Sequence, residues 1–218
     1  MNPAPGPGGR LPLERPAVEG LVAFLSLPKE GETENGDAAM VRRFDDGAAG
    51  GALIAVIDAL GHGQHAAAAA EVALSYLNEA PVTRGLRVIV EELHDRLRGT
   101  RGAAAMLLLV RDQKLEGCGV GNVALRSYRG RVPATLTPGI LGSGGPLKLL
   151  RVFQAEVSPG DRLVVHSDGI DGRFDDEVSR RALPQDTCQA IMKRHRRPHD
   201  DATVLVADFA IPPVRSAG

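Results

Sequence analysis

The chain has 218 residues, of which 43% are hydrophobic and 24% charged, as expected for a globular protein with one sizeable core. The formal net charge is −1, so no overall charge favours nucleic acid or an anionic membrane as a partner. No apolar run approaches the ~18 residues that a membrane helix needs, and the Pro- and Gly-rich start lacks a signal-peptide pattern. We therefore expect a cytoplasmic protein with a disordered leader at residues 1–16 and a single domain at 17–212.

The first half of the chain passes from strands to helices. Apolar runs of strand length occupy residues 17–27, 38–44 and 51–58. The third run, GALIAVID, is continuously apolar, so it predicts a buried central strand. The alanine-rich segment 64–78 predicts a helix packed closely against a sheet. Apolar residues then recur at helical spacing from Leu86 to Leu97, which indicates a second, amphipathic helix that Gly99 ends.

The second half consists mostly of short apolar runs joined by polar turns, a spacing typical of an antiparallel sheet. Strands are predicted at residues 103–110, 115–120, 123–128, 134–136, 149–157, 162–166 and 202–209. A third helix is predicted at residues 186–197. Strands first, two central helices, then hairpins, a helix and a closing strand indicate an α+β layered fold without a βαβ repeat.

Four aspartates lie at strand ends or in the loops beside them, and all but Asp58 are next to Gly or to another Asp. Asp58 ends the most apolar strand, and Asp37 directly precedes a predicted strand. Asp168 follows the strand at 162–166, and Asp200 precedes the closing strand. A single Asp-Gly pair is usually only a turn, but four such sites are hard to explain in that way.

Several aspartates at one sheet edge would repel one another, and their pKa values would rise. Hard divalent cations such as Mg²⁺ and Mn²⁺ prefer carboxylate, carbonyl and water oxygens, so they would resolve this conflict. Two such ions close together would activate a water for attack on phosphorus. The sequence contains no Gly-x-Ser-x-Gly elbow, and its Cys-x5-Arg spacing from Cys188 to Arg194 falls inside the predicted helix at 186–197 and not in a loop, so it offers no nucleophilic side chain in a recognised motif.

The segments around these aspartates resemble the ordered motifs of PP2C-type protein phosphatases. The segments are Gly36-Asp37, Asp58-Ala59-Leu60-Gly61-His62-Gly63, Ser167-Asp168-Gly169-Ile170 and Asp200-Asp201-Ala202-Thr203-Val204. They are most similar to the bacterial SpoIIE/RsbU/RsbX branch. Within it, the segments 100–103 (TRGA), 119–123 (GVGNV) and 166–170 (HSDGI) look most like the RsbX group of stressosome phosphatases.

The resemblance implies a layered α-β-β-α sandwich, in which two antiparallel sheets are flanked by helices. It also implies two Mn²⁺ or Mg²⁺ ions and, as partners, phosphorylated STAS-domain proteins of a stressosome or a related partner-switching module. Asp58 would bridge both ions and Asp37 would serve one, which makes these two the expected catalytic aspartates. The further ligands implied are Asp168, Asp200 and the backbone carbonyl of Ala59, with Asp201 and Gly169 as lesser candidates.

Alternatives remain open at this stage. The domain could be a catalytically silent relative that binds a phosphorylated partner, or a phosphatase of an anti-sigma-factor antagonist. His62 could act in catalysis, although a helix-start or surface position is favoured. The basic run at residues 193–197 could attract an acidic partner, but a solvated last helical turn is favoured. Arg42 and Arg43 lie where a phosphate-binding arginine is expected, and a surface role fits them equally well.

Overall fold

A computed structural model of the chain describes residues 19–45, 50–147, 149–178 and 181–210. Within these ranges the strands are β1 (Glu19–Leu27), β2 (Asp37–Asp45), β3 (Gly50–Ala59), β4 (Ala103–Arg111), β5 (Lys114–Val120), β6 (Ala124–Tyr128), β7 (Leu136–Thr137), β8 (Val152–Glu156), β9 (Arg162–His166) and β10 (Ala202–Ala210). The α-helices are α1 (Gln64–Glu79), α2 (Leu86–Arg96) and α3 (Pro184–His195). None of these helices is long and apolar enough to cross a membrane. The predicted leader lies outside the described residues.

The strands form two sheets. One has the order β1-β10-β9-β6, and the other has the order β2-β3-β4-β5 with β7 and β8 both paired to β5. The named strands pair antiparallel throughout, except for the short parallel pairing of β5 with β7. Helices α1 and α2 cover the outer face of the β2-β3-β4-β5 sheet, and α3 covers the other sheet. The predicted α+β sandwich with its α-β-β-α layers is confirmed.

Strand β3 shows why the central run is continuously apolar. Leu53 and Ile57 pack in the layer beneath the helices α1 and α2, whereas Ile54 and Val56 pack between the two sheets. Side chains alternate between the two faces of a strand, so a strand buried on both faces needs an apolar residue at every position. The run ends at Asp58, which places a carboxylate at the end of the core.

The alanines of helix α1 let it approach the sheet closely. Ala66, Ala69, Ala70 and Ala73 are all buried against it. A Cβ added at Gly36, just before β2, would lie only 2.6 Å from the Cβ of Ala66. This close packing fixes the loop that carries Asp37.

The segment 103–166 differs from the single antiparallel sheet that the strand spacing suggested. Strands β4, β5 and β8 lie in one sheet, but β6 and β9 lie in the other. The chain crosses between the sheets at Gly121, which has φ +85° and lies against Ala104. A side chain there would be strained and would have no space, so glycine allows the crossing. The predicted strand at 134–136 is reduced to the two-residue β7.

Candidate metal centre

The four aspartates come from both sheets. Asp37 and Asp58 are register partners on β2 and β3. Asp168 follows β9 and Asp200 precedes β10, which are neighbours in the opposite sheet. The prediction placed the carboxylates at one sheet edge, whereas the structure brings them together at one end of the sandwich. The difference arises because β9 and β10, which flank Asp168 and Asp200, belong to the sheet opposite β2 and β3.

Three of the carboxylates line one cavity of about 370 Å³. They are Asp58, Asp168 and Asp200, and the wall also includes Gly61, Asn122 and Ile140. Asp37 lies behind Asp58 and is only 5% exposed. The residues that line this cavity include no serine, cysteine or histidine. The cavity is therefore rich in oxygen ligands and without a nucleophilic side chain.

The carboxylates are crowded enough to disfavour their own ionisation. Burial, followed by the charges of Asp37, Asp168 and Asp200, raises the pKa of Asp58 to about 8. Burial also raises the pKa of Asp37 to about 7, although hydrogen bonds from Ser167 and Thr203 work in the opposite direction. Both shifts describe a protein without cations. A bound cation would remove the cause of the repulsion.

One buried oxygen supports the presence of a cation directly. Among the described residues, Asp58 Oδ2 is buried and has no hydrogen-bond partner. A buried acceptor without a donor is costly, and a metal ion would satisfy it. Within the described residues, no three acidic, histidine or cysteine side chains enclose a metal ion by themselves. Any ion held here would therefore also need backbone or water oxygens among its ligands.

A hydroxyl network behind the carboxylates joins the two sheets. Ser167 Oγ donates to Asp37 Oδ2 at 2.6 Å and accepts from the backbone N–H of Thr203 at 3.0 Å. The Thr203 hydroxyl in turn lies 2.6 Å from the hydroxyl of Ser26, which accepts from Asn35. These bonds fix the orientation of the Asp37 carboxylate.

Asp201, a lesser candidate ligand, is already engaged. Its Oδ1 accepts the backbone N–H of Lys29 at 2.6 Å, and its Oδ2 accepts that of Gly36 at 2.8 Å. The residue is 3% exposed. Its carbonyl oxygen lies against Gly169, where a Cβ would collide with it. Asp201 therefore holds together the loops that carry Asp37 and Asp168.

The backbone at Ala59 tolerates alanine. Its N–H donates to the carbonyl of Gly36 at 3.0 Å, and it ends strand β3. Among the described residues, only Asp112 and Arg129 combine a side chain with positive φ. Ala59 therefore needs no glycine, and its carbonyl stays a predicted ligand.

Asn122 was not predicted to act at the site. Its Nδ2 donates to Asp168 Oδ2 at 2.7 Å, and it lines the cavity. The available signals were its position directly after Gly121, in a polar turn between two apolar strands, and its place in the RsbX-like segment 119–123. Such an outer hydrogen bond orients a ligand carboxylate.

The other polar residues singled out in the sequence have structural partners. His62 is exposed, with Nδ1 at 2.9 Å from Glu32 and Nε2 at 3.1 Å from the amine of Lys29. Arg42 donates to two carbonyls at the C-terminus of α1. In the basic run, Arg194 pairs with Glu177. These contacts agree with the surface interpretation of each residue.

Three solved structures share this architecture. The first is a chain from a structure of the bacterial stressosome, which is described as a modular system adapted to control secondary messenger signalling. It is 32% identical to this chain, with a TM-score of 0.78, and the match covers 87% of this chain and 99% of that chain. RsbX in complex with magnesium is 21% identical with a TM-score of 0.74, covering 90% and 100%. The PP2C phosphatase domain of SpoIIE from Bacillus subtilis, with a regulatory fragment, is 18% identical with a TM-score of 0.69, covering 91% and 66%.

The fold is thus that of PP2C-type phosphatase domains. A family model, stage II sporulation protein E (SpoIIE), matches residues 48–210. The chain belongs to the SpoIIE family. A search of curated protein sequences found no match.

Proposed function

We propose that this chain is a Mn²⁺- or Mg²⁺-dependent protein serine/threonine phosphatase. The observation that carries the proposal is the cavity on which Asp58, Asp168 and Asp200 converge, with a buried and unpartnered oxygen on Asp58. Membership of the SpoIIE family supports the same class of reaction. Carboxylates gathered at one end of a core, with raised pKa values, are typical of a functional site.

The proposed ligand roles are those that the family resemblance implies. Asp58 would contact two ions, while its register partner Asp37 would contact one. Asp168 and Asp200 would hold the other, with the Ala59 carbonyl as an additional ligand. Two divalent cations, when bound, supply charge neutralisation and a water of lowered pKa.

The residues of the chain have three tasks in this reaction. The aspartates set the geometry, Ser167 orients Asp37, and Asn122 orients Asp168. Since no serine, cysteine or histidine lines the cavity and its aspartates are assigned to the metals, we expect direct attack of water on phosphorus without a phosphoenzyme. In this step the bond from the water oxygen to phosphorus forms while the bond from phosphorus to the serine oxygen breaks, and the proton that the water loses goes to the serine oxygen.

The proposed substrates are phosphorylated STAS-domain proteins of a stressosome. The support is the 32% identical chain from a stressosome structure, which is matched over nearly its whole length, together with the RsbX-like segments in the sequence. A cytoplasmic location belongs to the same proposal. A phosphorylated anti-sigma-factor antagonist would present a similar STAS fold, so it is the natural comparison substrate.

The test is hydrolysis of an aryl phosphate and of two purified phosphoserine STAS proteins, one from a stressosome and one an anti-sigma-factor antagonist. Each is assayed with EDTA, Mg²⁺ or Mn²⁺, using the native chain and Asp58→Asn. We expect turnover that requires a divalent cation and disappears in Asp58→Asn. A higher kcat/KM for the stressosome protein would support the proposed substrate.

Other outcomes have distinct meanings. Preference for the antagonist would replace the substrate but keep the enzyme class. Absence of turnover with every metal, together with tight binding of a phosphoprotein, would instead favour the catalytically silent domain. Turnover that persists in EDTA would contradict the metal mechanism.

A further inference from the structure

Arg101 lies beside the cavity, on the loop between α2 and β4. Its Nη1 is so close to the Gly61 backbone that a Cβ at Gly61 would lie only 2.5 Å from it. Gly61 lines the cavity with Asp58, Asp168 and Asp200. The guanidinium therefore sits next to the wall of the proposed metal centre.

The backbone on both sides of Arg101 is fixed. Thr100 Oγ1 donates to the carbonyl of Leu97 at 2.7 Å and accepts from the N–H of Gly102 at 3.0 Å. The carbonyl of Gly102 accepts from the N–H of Leu60, two residues after Asp58. The Arg101 loop is thus tied to the segment that carries the central aspartate. A residue held in this way presents its side chain from a defined position.

The guanidinium itself is unengaged. Across the part of the chain that the structure describes, Arg101 makes no hydrogen bond and no ion pair, and its side chain is exposed. Other arginines behave differently: Arg98, three residues earlier, pairs with Asp95 at 2.9 Å, and Arg42 binds two backbone carbonyls. An arginine with a fixed backbone and a free head group is available for a ligand.

We infer that Arg101 binds the phosphate of the substrate, an inference that rests on the proposed phosphatase function. The charges of the site require such a group, because two divalent cations only balance the four carboxylates of Asp37, Asp58, Asp168 and Asp200. A phosphate monoester then brings about two further negative charges. The planar guanidinium matches two phosphate oxygens at once and keeps its charge at every working pH.

The position also explains why the arginine is not captured by the aspartates. It is presented from the Gly61 side of the wall, and Gly61 has φ +79° and no side chain to separate the guanidinium from the cavity. A phosphate placed over the cavity would lie between the carboxylate cluster and Arg101. Arg101 would thus select phosphate esters and orient them.

The test compares Arg101→Ala and Arg101→Lys with Arg98→Ala as the matched control. The measurements are kcat and KM for an aryl phosphate with Mn²⁺, the inhibition constant of inorganic phosphate, and the Mn²⁺ affinity. We expect Arg101→Ala to weaken phosphate inhibition and to lower kcat/KM by about 10- to 100-fold, as for loss of a charged hydrogen bond. Arg101→Lys should recover part of the loss, and Arg98→Ala should stay within about twofold of the native chain.

The Mn²⁺ affinity separates substrate binding from damage to the metal site. We expect it to be unchanged in Arg101→Ala, with an unchanged thermal midpoint. Native kinetics and native phosphate inhibition in Arg101→Ala would overturn the inference and leave the proposed function intact. If Arg101→Ala does not fold, the same measurements on Arg101→Lys test the inference.

An inactive native chain would refute the proposed function but would still permit a test of Arg101. Calorimetry of inorganic phosphate binding to the Mn²⁺-loaded chain then replaces the kinetics. Weaker binding by Arg101→Ala than by the native chain would support the assignment. Equal binding, or no binding to the native chain, would overturn it.

Discussion

Replacing Asp58 by asparagine is expected to stabilise the metal-free protein. Burial, with the charges of Asp37, Asp168 and Asp200 next in importance, raises the pKa of Asp58 from 3.8 to about 8. Relative to an unshifted carboxylate, this group favours the folded state at low pH, and that contribution is lost as the pH rises towards 8. Asparagine has nearly the same shape and no charge, so its contribution does not change with pH.

The magnitude follows from the shift. Each pKa unit corresponds to about 1.4 kcal/mol, so raising the pKa of Asp58 from 3.8 to about 8 bounds the effect at about 5 kcal/mol at pH 8. The cavity is open to water, which screens the repulsion, so we expect about 2 kcal/mol. For a domain of this size, that free energy raises the thermal midpoint by about 4–8 °C.

The assay is thermal unfolding in EDTA at pH 8 and at pH 5, followed by the same scans with Mn²⁺. In EDTA at pH 8, Asp58→Asn should unfold at a higher temperature than the native chain, and the difference between their thermal midpoints should be smaller at pH 5. Added Mn²⁺ should raise the midpoint of the native chain by mass action and leave the variant nearly unchanged. Asp95→Asn, which alters an exposed ion pair, is the control.

Two results would contradict this reasoning. If Asp58→Asn were no more stable than the native chain in EDTA at pH 8, the carboxylates would not be crowded in the folded protein. If the difference between the thermal midpoints were the same at pH 5 and pH 8, the stabilisation would come from packing and not from charge.

The remaining predictions concern the supports of the site and the fold. Asn122→Ala removes the donor to Asp168, so Mn²⁺ affinity, measured by calorimetry, should fall by about 10-fold with an unchanged thermal midpoint. Gly169→Ala forces a Cβ into the carbonyl of Asp201, so we expect a lowered thermal midpoint and lost phosphatase activity; a native midpoint would contradict the packing described. Arg162→Met removes the buried half of an ion pair between β9 and β10 and should cost about 3 kcal/mol in urea unfolding, whereas a cost below about 1 kcal/mol would show that the pair is not desolvated.

The sequence predicted the elements well because their signals are local. The buried strand at 51–58 and the alanine-rich helix at 64–78 correspond to β3 and α1 with shifts of one residue at their ends. The distribution of the later strands between two sheets could not be predicted in this way. Strand periodicity shows that a strand has a buried face, but not which sheet supplies the partner. The crossing at Gly121 depends on backbone geometry, which cannot be predicted from a single glycine in the sequence.

The residues of the candidate site also differ in how far they could be predicted from the sequence. Asp58 and Asp168 were predicted because a carboxylate beside an apolar strand is unusual in itself. Asn122 and Arg101 lie in the RsbX-like segments 119–123 and 100–103, but neither was predicted as a site residue, since a polar residue in a turn is the ordinary case. Their importance comes only from proximity: Asn122 contacts Asp168, and Arg101 lies over Gly61. Both contacts depend on how the loops pack against each other in the folded protein.

Because the carboxylates belong to two sheets, the geometry of the site depends on the packing between those sheets. Val56 and Met106 from one sheet and Leu205 from the other are fully buried in the apolar layer that separates them. This layer sets the spacing of Asp58 from the acids of the opposite sheet, while the bond from Ser167 to Asp37 aligns the sheets at their shared end. Protein interiors are close-packed, so a change of volume in this layer is transmitted rather than absorbed. The middle layer of the core is therefore part of the machinery that positions the site, although among its described residues only Ala104 also lines the cavity.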